Sequence, residues 1–426
     1  MPTRRIFLRD SAMVLAGVGT VPFWLGRAAA NTQSKRKILI AIFQRGAADG
    51  LNMVIPFSEK RYYELRPSIG IPAPVGGIGQ PALDLDGKFG LHPQLQPLKD
   101  LWDKKMLAIV EATGSPDPSR SHFDAQDYME SGTPGLKRDG WLNRALPPAV
   151  PGTSPLRAIS MGAALPRTLR GDQSAIAVAD VAKFKAGGDT AAVLESMYAA
   201  SPDKQLAGAG KDAFAAMKIL STLEPDRRGP VNGFIAVNGG GGVGGAGTIG
   251  PPPGLIGPNG YQQGGELGRS LQQIARLIKA DAGVEAAFAE VGGWDHHQNE
   301  PNQLSNMNRQ FAASLSAFCN DMGDRMEDIV LVTMSEFGRT AAENGDSGTD
   351  HGHGSVMFVL GGPVKGGKVY GKWPGLEKEQ LYEGRDLAVT TDFRAVLSEL
   401  LASHLGTQNL AQVFPGFTMG GKLGLV

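Results

Sequence analysis

The 426-residue sequence has little cysteine, little histidine and no net charge. Its lone cysteine, Cys319, excludes an internal disulfide and lies in a helical pattern, which favours a buried structural thiol. Acidic and basic residues number 42 each, so no electrostatic argument favours nucleic acid or an anionic membrane as a partner. With 42% hydrophobic and 20% charged residues, the chain is long enough for one large α/β domain or two smaller ones.

The first thirty residues resemble a twin-arginine export signal. Arg4 and Arg5 precede an apolar segment at 12–25, and the alanines at 28–30 offer a small-residue cleavage site. That segment contains Pro22 and is too short for a comfortable membrane span, although an N-terminal anchor helix is the alternative. We expect residues 1–30 to be a signal peptide recognised by the twin-arginine export machinery. The folded mature protein would then be periplasmic or secreted, with no strong membrane signal of its own.

Apolar runs of strand length alternate with helical patterns along the mature chain. The runs lie at 37–43, 106–111, 283–291, 329–333 and 355–360. This alternation predicts a single α/β domain over residues 31–426, with a largely parallel central sheet and helices on both faces. The low-complexity stretch at 239–265 has no phosphate-loop lysine after its glycines, so we expect a flexible surface loop there.

Four of the seven histidines lie in two short segments, each beside an aspartate. The first segment is Asp295 to His297, and the second runs from Asp350 to His353. On an extended backbone Asp295 and His297 share a face while His296 points away. Carboxylates and imidazoles on loops are the ligands of zinc, manganese and other divalent ions. The pattern predicts a metal site; a polar loop network without metal is the alternative.

Two acidic residues follow apolar strands directly. Asp49 comes after the first strand and Glu336 after the run at 329–333. Open α/β sheets build their sites at the carboxyl ends of strands, so both are candidate metal ligands. The alternatives are a turn acid before Gly50 for Asp49 and an ion pair with Arg339 for Glu336.

Ser121 opens a predicted helix and is the best-placed hydroxyl for a nucleophile. A helix N-terminus offers free amide donors and a positive dipole end, which stabilise an anion. The capping spacing from Ser121 to Asp124 leaves a structural N-cap as the alternative. Arg120, His122 and His353 are candidate substrate-binding residues beside these motifs.

Five motifs in order together resemble the family called domain of unknown function 1501. They are residues 45–52 (RGAADGLN), 121–126 (SHFDAQ), 293–297 (GWDHH), 336–340 (EFGRT) and 349–352 (TDHG). That family is grouped with the alkaline phosphatase and sulfatase superfamily. The resemblance therefore implies an alkaline-phosphatase-like fold with one or two divalent metals at the carboxyl edge of a parallel sheet.

By position, the resemblance implies Ser121 as nucleophile and Asp49, Asp295, His297, Glu336 and His351 as metal ligands. Asp350, beside His351, is a further candidate ligand from the second Asp-His segment. In the mechanism we expect, Arg339 or Arg120 holds the anionic oxygens. Glu336 and Arg339 stand where many members have Asp-His, which weakens the case for a second metal. No cysteine lies near Ser121, so a formylglycine mechanism is not expected.

The sequence therefore predicts an exported hydrolase of small anionic phosphate or sulfate esters that depends on zinc, manganese or calcium. Metal would polarise the ester oxygen and lower the pKa of Ser121 or of water. Two alternatives remain. One is an exported binding protein that kept the fold and lost turnover, and the other is an accessory factor for export or assembly of another secreted protein.

Overall fold

The computed structural model of the protein describes residues 36–75, 79–135, 139–184, 188–222 and 258–426. The predicted signal peptide lies outside these residues, as do residues 239–257 of the predicted glycine-rich loop. The end of that loop, Pro258–Gly264, is a 3-10 helix. Among the described helices, none combines the length and the apolar character that a membrane crossing requires.

Twelve strands are found in the described residues. They are β1 Ile38–Gln44, β2 Val54–Ile55, β3 Leu83–Asp84, β4 Gly90–Leu91, β5 Leu107–Gly114, β6 Ala158–Ser160, β7 Ile176–Ala177, β8 Ala286–Val291, β9 Ile329–Met334, β10 Ser355–Gly361, β11 Lys368–Tyr370 and β12 Thr391–Asp392.

Eleven α-helices accompany these strands in the described part of the chain. They are α1 Gly50–Met53, α2 Lys60–Leu65, α3 Gln96–Asp103, α4 His122–Ser131, α5 Trp141–Ala145, α6 Gly188–Ala199, α7 Lys204–Thr222, α8 Gly265–Lys279, α9 Glu300–Met322, α10 Phe393–Leu400 and α11 Leu410–Val413. Near the end of the chain, β12 directly precedes α10, and a π-helical turn, Leu401–Leu405, follows it.

Nine strands form the central sheet, in the order β11-β5-β10-β9-β1-β8-β6-β7 with β12 paired to β5. All neighbouring strands are parallel except that β10 is antiparallel to both β5 and β9. The prediction of a mixed α/β fold with a largely parallel central sheet is confirmed. A separate three-stranded sheet, β2-β4-β3, lies outside it.

Strand β1 is buried along its whole length because helices cover both faces of the sheet. Ile40 and Ile42 belong to one core cluster with α3, α8 and α9, whereas Ala41 and Phe43 belong to a second cluster with α5 and α10. A strand that is buried on both sides needs apolar residues at every position, which explains the uninterrupted run in the sequence.

The longest helix, α9, has clear start and stop signals. Pro301 lies in its first turn, where a missing amide proton costs nothing, and Gly323 follows its last residue with a φ of 51°. Leu304, Phe311 and Phe318 repeat at helical spacing and are buried against the sheet. The helix therefore fixes the end of the segment that carries Asp295 and His297.

In the described part of the central sheet, β10 is the one antiparallel strand. Its direction determines where residues 335–354, the long excursion between β9 and β10, lie. Because β9 and β10 run in opposite directions, β9 ends and β10 begins at the same edge of the sheet. That edge is also where β1, β5 and β8 end, since they run parallel to β9. All five predicted motifs therefore meet at one edge of the sheet.

Candidate metal centre

The two loops of the excursion hold each other in place. Arg339 and His351 form an antiparallel bridge, and the Gly338 amide donates to the His353 carbonyl at 2.8 Å. A Cβ at Gly338 would lie 1.8 Å from the Gly354 carbonyl oxygen, so the backbones pack too closely for any side chain there. This pairing fixes His351 relative to the strand end that carries Glu336.

Glu336 is buried and acts as a common acceptor. Its Oε1 accepts from the Gly46 amide at 2.8 Å and from Gln126 at 2.9 Å, and it lies 2.8 Å from His122 Nδ1. Gly46 adopts a φ of +115°, and a Cβ there would lie 2.7 Å from the Asp295 amide nitrogen. The carboxylate therefore joins the β1 loop, the start of α4 and the end of β9.

Three histidines have acceptors on their Nδ1 atoms. His122 faces Glu336 at 2.8 Å, His297 faces the Asp350 carboxylate at 3.1 Å, and His351 faces the Arg120 carbonyl at 2.9 Å. Because a carbonyl oxygen only accepts, His351 must carry its proton on Nδ1. A carboxylate likewise favours a proton on Nδ1 of the other two rings, so a ring that carries a single proton presents an unprotonated Nε2.

These Nε2 atoms converge. His351 Nε2 lies 3.1 Å from His122 Nε2 and 3.0 Å from His297 Nε2. Asp295 places Oδ1 2.9 Å from His297 Nε2 and 3.3 Å from His351 Nε2, and its Oδ2 lies 3.5 Å from His122 Nε2. Two lone pairs that face each other at such distances repel unless a cation or a proton lies between them.

These separations fit the demands of a metal ion. Tetrahedral ligands at about 2.0–2.1 Å from zinc lie about 3.3–3.4 Å from one another. Ligand atoms of His122, Asp295 and His351 all lie within 4.8 Å of one another, and His297 contacts the latter two. The donor set is rich in imidazole nitrogen with one carboxylate, which suits zinc or manganese better than calcium.

Burial and neighbouring charges favour the protonation states in which Asp295 and His351 could bind a metal ion. Burial disfavours ionisation of Asp295, but Arg339 and the neighbouring histidines outweigh it and lower the pKa of Asp295 below its ordinary value. Burial lowers the pKa of His351, which keeps the ring neutral. The His297 hydrogen bond lowers the pKa of Asp350, which stays ionised as an acceptor.

Arg339 lies behind Asp295 rather than in the open site. Its side chain is 0% exposed, and one terminal nitrogen donates to Asp295 Oδ1 at 2.8 Å. The ion pair of this arginine is therefore with Asp295 and not with Glu336. Its Nε and second terminal nitrogen have no partner among the described residues. Arg339 thus orients Asp295 and has no path to a substrate oxygen in this arrangement.

Asp49 belongs to a separate buried network. It forms an ion pair with Arg66, with Oδ1 3.0 Å from one guanidinium nitrogen, and both side chains are at most 2% exposed. Burial opposes its ionisation, but Arg66 lowers the pKa of Asp49. Its contacts do not reach the three histidines, so its predicted role as a metal ligand stays a prediction.

Glu300 completes this network. It accepts from Asn52 at 3.1 Å and from Thr349 at 2.7 Å. Burial and the neighbouring Asp49 raise the pKa of Glu300 well above its ordinary value, so Glu300 binds a proton more readily than Asp49 does. The network therefore connects α1 and the start of α9 to the loop that carries Asp350 and His351.

The remaining predicted site residues surround the cluster. Ser121 is the N-cap of α4, but its hydroxyl makes no capping hydrogen bond. Arg120 pairs with Asp386 and Glu383 at 2.6 Å each. His353 stacks on Tyr382 with ring centroids 4.3 Å apart, and burial lowers its pKa.

The sequence analysis did not place His122 among the candidate metal ligands, and it separated His296 from them. His122, predicted as a substrate-binding residue, contributes an Nε2 to the cluster. His296 is buried, and neither of its ring nitrogens has a hydrogen-bond partner among the described residues. Gln126, which sequence reasoning missed, lies one turn after His122 on the same face of α4, a spacing that identifies it.

One family model matches the chain. It is described as a protein of unknown function, DUF1501, and it matches residues 265–413, which supports the family resemblance. The matched segment contains Asp295, His297, Glu336 and His351, whereas His122 lies outside it. No curated protein and no solved structure matches the chain.

Replacing Arg66 by alanine tests whether Asp49 depends on its ion pair. We expect the free energy of unfolding to fall by about 3–5 kcal/mol, because an unpaired carboxylate would remain buried. Chemical denaturation measures this change. Arg61→Ala on the exposed side of α2 is the control, with an expected loss below about 1 kcal/mol. Equal small losses in both variants would show that the buried pair contributes nothing.

The protonated state of Glu300 predicts a pH dependence. Its pKa is higher in the folded than in the unfolded protein, so above about pH 4.5 the folded state binds more protons. The stability contribution of Glu300 therefore falls as the pH rises towards its folded pKa. Glu300→Gln retains the shape without the charge, and its stability should fall less than that of the wild type between about pH 5 and about pH 8. Parallel stability curves over that range would contradict a protonated Glu300.

Proposed function

We propose that this protein is a divalent-metal-dependent hydrolase of phosphate or sulfate esters with an alkaline-phosphatase-like fold. One observation carries the proposal: His351 Nε2 lies 3.0–3.1 Å from the Nε2 atoms of His122 and His297, and the Asp295 carboxylate lies 2.9–3.5 Å from all three. The largely parallel sheet, with the cluster outside the carboxyl ends of its strands, supports the same assignment. So does the family resemblance.

His122, Asp295, His297 and His351 would hold the metal. Three nitrogens and one oxygen favour zinc, with manganese the second choice. When bound, such an ion supplies Lewis-acid polarisation of an ester oxygen and lowers the pKa of a nearby hydroxyl. The distances support a single ion; Asp49 and Glu336, which a second ion would need, are engaged elsewhere.

The chain's own residues prepare the site for this chemistry. Glu336, Asp350 and the Arg120 carbonyl hold the three rings by their Nδ1 atoms, which fixes both the tautomer and the orientation of each ring. Arg339 holds Asp295 from behind. These partners act before any ligand arrives, so little reorganisation is needed when an ion or a substrate binds.

Ser121 supplies the nucleophile in the proposed reaction. It directly precedes His122 at the start of α4, and its hydroxyl is not used for capping. Its Oγ forms a bond to phosphorus or sulfur as the bond to the leaving oxygen breaks. The hydroxyl proton ends on the leaving group, and water then releases the acid. The free amides of the helix start favour the negative charge that develops on the transferred group.

Arg385 replaces Arg339 in the proposal as the residue that holds the anionic oxygens. Its guanidinium donates to the His351 carbonyl at 2.8 Å, yet its side chain is 47% exposed. Asp386 binds its Nε at 2.8 Å, which leaves one terminal nitrogen without a hydrogen bond in the described part of the chain. Arg120, the other predicted holder, is occupied by Asp386 and Glu383.

Export by the twin-arginine route remains part of the proposal. That route carries folded proteins, so the metal would be inserted in the cytoplasm before the periplasmic or secreted protein reaches its destination. The predicted signal is the support for this step. The exported, non-catalytic binding protein remains the second candidate, because the arrangement offers one metal position rather than two.

Removing two of the converging groups should remove the metal. We expect mature protein with Asp295→Ala and His297→Ala to contain less than about a tenth of the wild-type zinc or manganese, since each change removes a donor atom. Elemental mass spectrometry of folded protein measures this. His353→Ala, which removes a ring that stacks on Tyr382, is the control and should retain the metal. Stoichiometric metal in the double variant would refute the assignment.

Replacing the proposed nucleophile separates an enzyme from a binding protein. Ser121→Ala should keep the metal but lower kcat for phosphate or sulfate esters by more than about 1000-fold, because no hydroxyl remains to attack. A panel of chromogenic esters, assayed on metal-loaded protein, provides the measurement. Ser196→Ala, on the exposed side of α6, is the control. Undiminished turnover would exclude Ser121 as nucleophile, and no turnover in the wild type would favour the binding protein.

A further inference from the structure

A cleft of about 320 Å³ opens beside the metal cluster. Its walls come from the loop after β1, the middle of α4, the end of β6 and the segment at 164–170. The strand ends place it on the same edge of the sheet as the cluster. Its lining contains no aromatic side chain and is rich in charged groups, so its shape suits a polar ligand rather than an apolar one.

The carboxylates of this cleft already have arginine partners. Arg45 binds Glu130 at 2.9 Å and Glu290 at 2.6 Å, and Arg167 binds Asp127 at 3.0 Å. One arginine shared by two carboxylates leaves that side of the cleft slightly negative. The lining has one more charged group, and it is positive.

Arg170 carries that charge. Its Nε donates to the Leu165 carbonyl at 2.9 Å, which anchors the side chain. Its two terminal nitrogens make no hydrogen bond within the described residues, and no carboxylate there pairs with it. A planar guanidinium with two free donors on one side matches the two oxygens of a carboxylate or a similar oxyanion.

Ser160 provides a second free polar group in the same cleft. It ends β6 and is only 3% exposed, yet its hydroxyl has no hydrogen-bond partner among the described residues. Because Ser160 lines the cleft, its hydroxyl is available to a ligand there. Arg170 and Ser160 thus offer three donors without partners.

The cleft and the cluster share helix α4. His122 begins this helix, and Asp127 and Glu130 lie on the cleft wall five and eight residues later. A rise of about 1.5 Å per residue separates these positions from His122 by roughly 8 Å and 12 Å. Gln126 connects the two sites directly, because it donates to Glu336 and accepts from Arg45 at 2.9 Å each.

We propose that this cleft binds the far end of the substrate and selects substrates that carry a singly charged oxyanion, such as a carboxylate, at the end remote from the ester. Arg170 and Ser160 bind that oxyanion. This inference rests on the proposed function, since it places the reacting ester at the cluster. A single charge fits best, because the acidic side of the cleft opposes a second one.

Matched phosphonates test this proposal. Phosphonooctanoate carries a phosphonate for the cluster and a carboxylate at the far end of its chain, whereas octylphosphonate lacks the carboxylate. Isothermal titration of the zinc-loaded mature protein with each compound gives the two dissociation constants. We expect the carboxylate to tighten binding about tenfold in the wild type and in the control Arg269→Ala. In Arg170→Ala that gain should disappear, and Arg170→Lys should recover part of it.

The outcomes separate this proposal from the proposed function. Equal affinities for the two phosphonates in the wild type, or an unchanged gain in Arg170→Ala, would overturn the subsite even if esters are hydrolysed. A gain that depends on Arg170 in a protein without hydrolytic activity would support the subsite and remove the proposed reaction. Failure of both phosphonates to bind would overturn both.

Discussion

The arrangement of this site depends on three imidazole rings that are each held by the nitrogen facing away from its centre. Glu336, Asp350 and the Arg120 carbonyl accept from the Nδ1 atoms, which leaves the Nε2 lone pairs directed at one another. Without a positive charge among them that arrangement is repulsive. The protein maintains it through interactions outside the cluster, which is how metal centres keep their ligands oriented.

Those outer interactions depend on the sheet. A fully parallel sheet would return the chain to the opposite edge between β9 and the next strand. The antiparallel β10 keeps the 335–354 excursion at the site, where Arg339 pairs with His351 and supports Asp295. The reversed strand β10 therefore brings the motifs at 336–340 and 349–352 to one place. Both motifs lie within the residues that the family model matches, 265–413. The cleft beside it uses the ends of β6 and β8 at the same edge.

Particular residues show how far sequence reasoning reaches. Asp295, His297 and His351 were predicted as ligands from their motifs, and the structure brings them together. His122 was assigned to substrate instead, because a lone histidine beside a capping serine gives no signal that its ring meets two others. Asp49 differs from His122, because it was predicted as a ligand and lies in a separate network. Its place after a strand suggested a ligand, but Arg66, which is 17 residues away, takes up its charge.

The sequence by itself determined the α/β class, the main strands and helices, and the motifs that supply carboxylate and imidazole. It did so because burial on both faces demands continuous apolar runs, and because adjacent residues on an extended backbone alternate in direction. Only the tertiary structure decided which donors meet, that Arg339 is buried behind Asp295, and that no carboxylate among the described residues pairs with Arg170. Those outcomes depend on contacts between residues far apart in the chain, and local patterns carry no information about such distances.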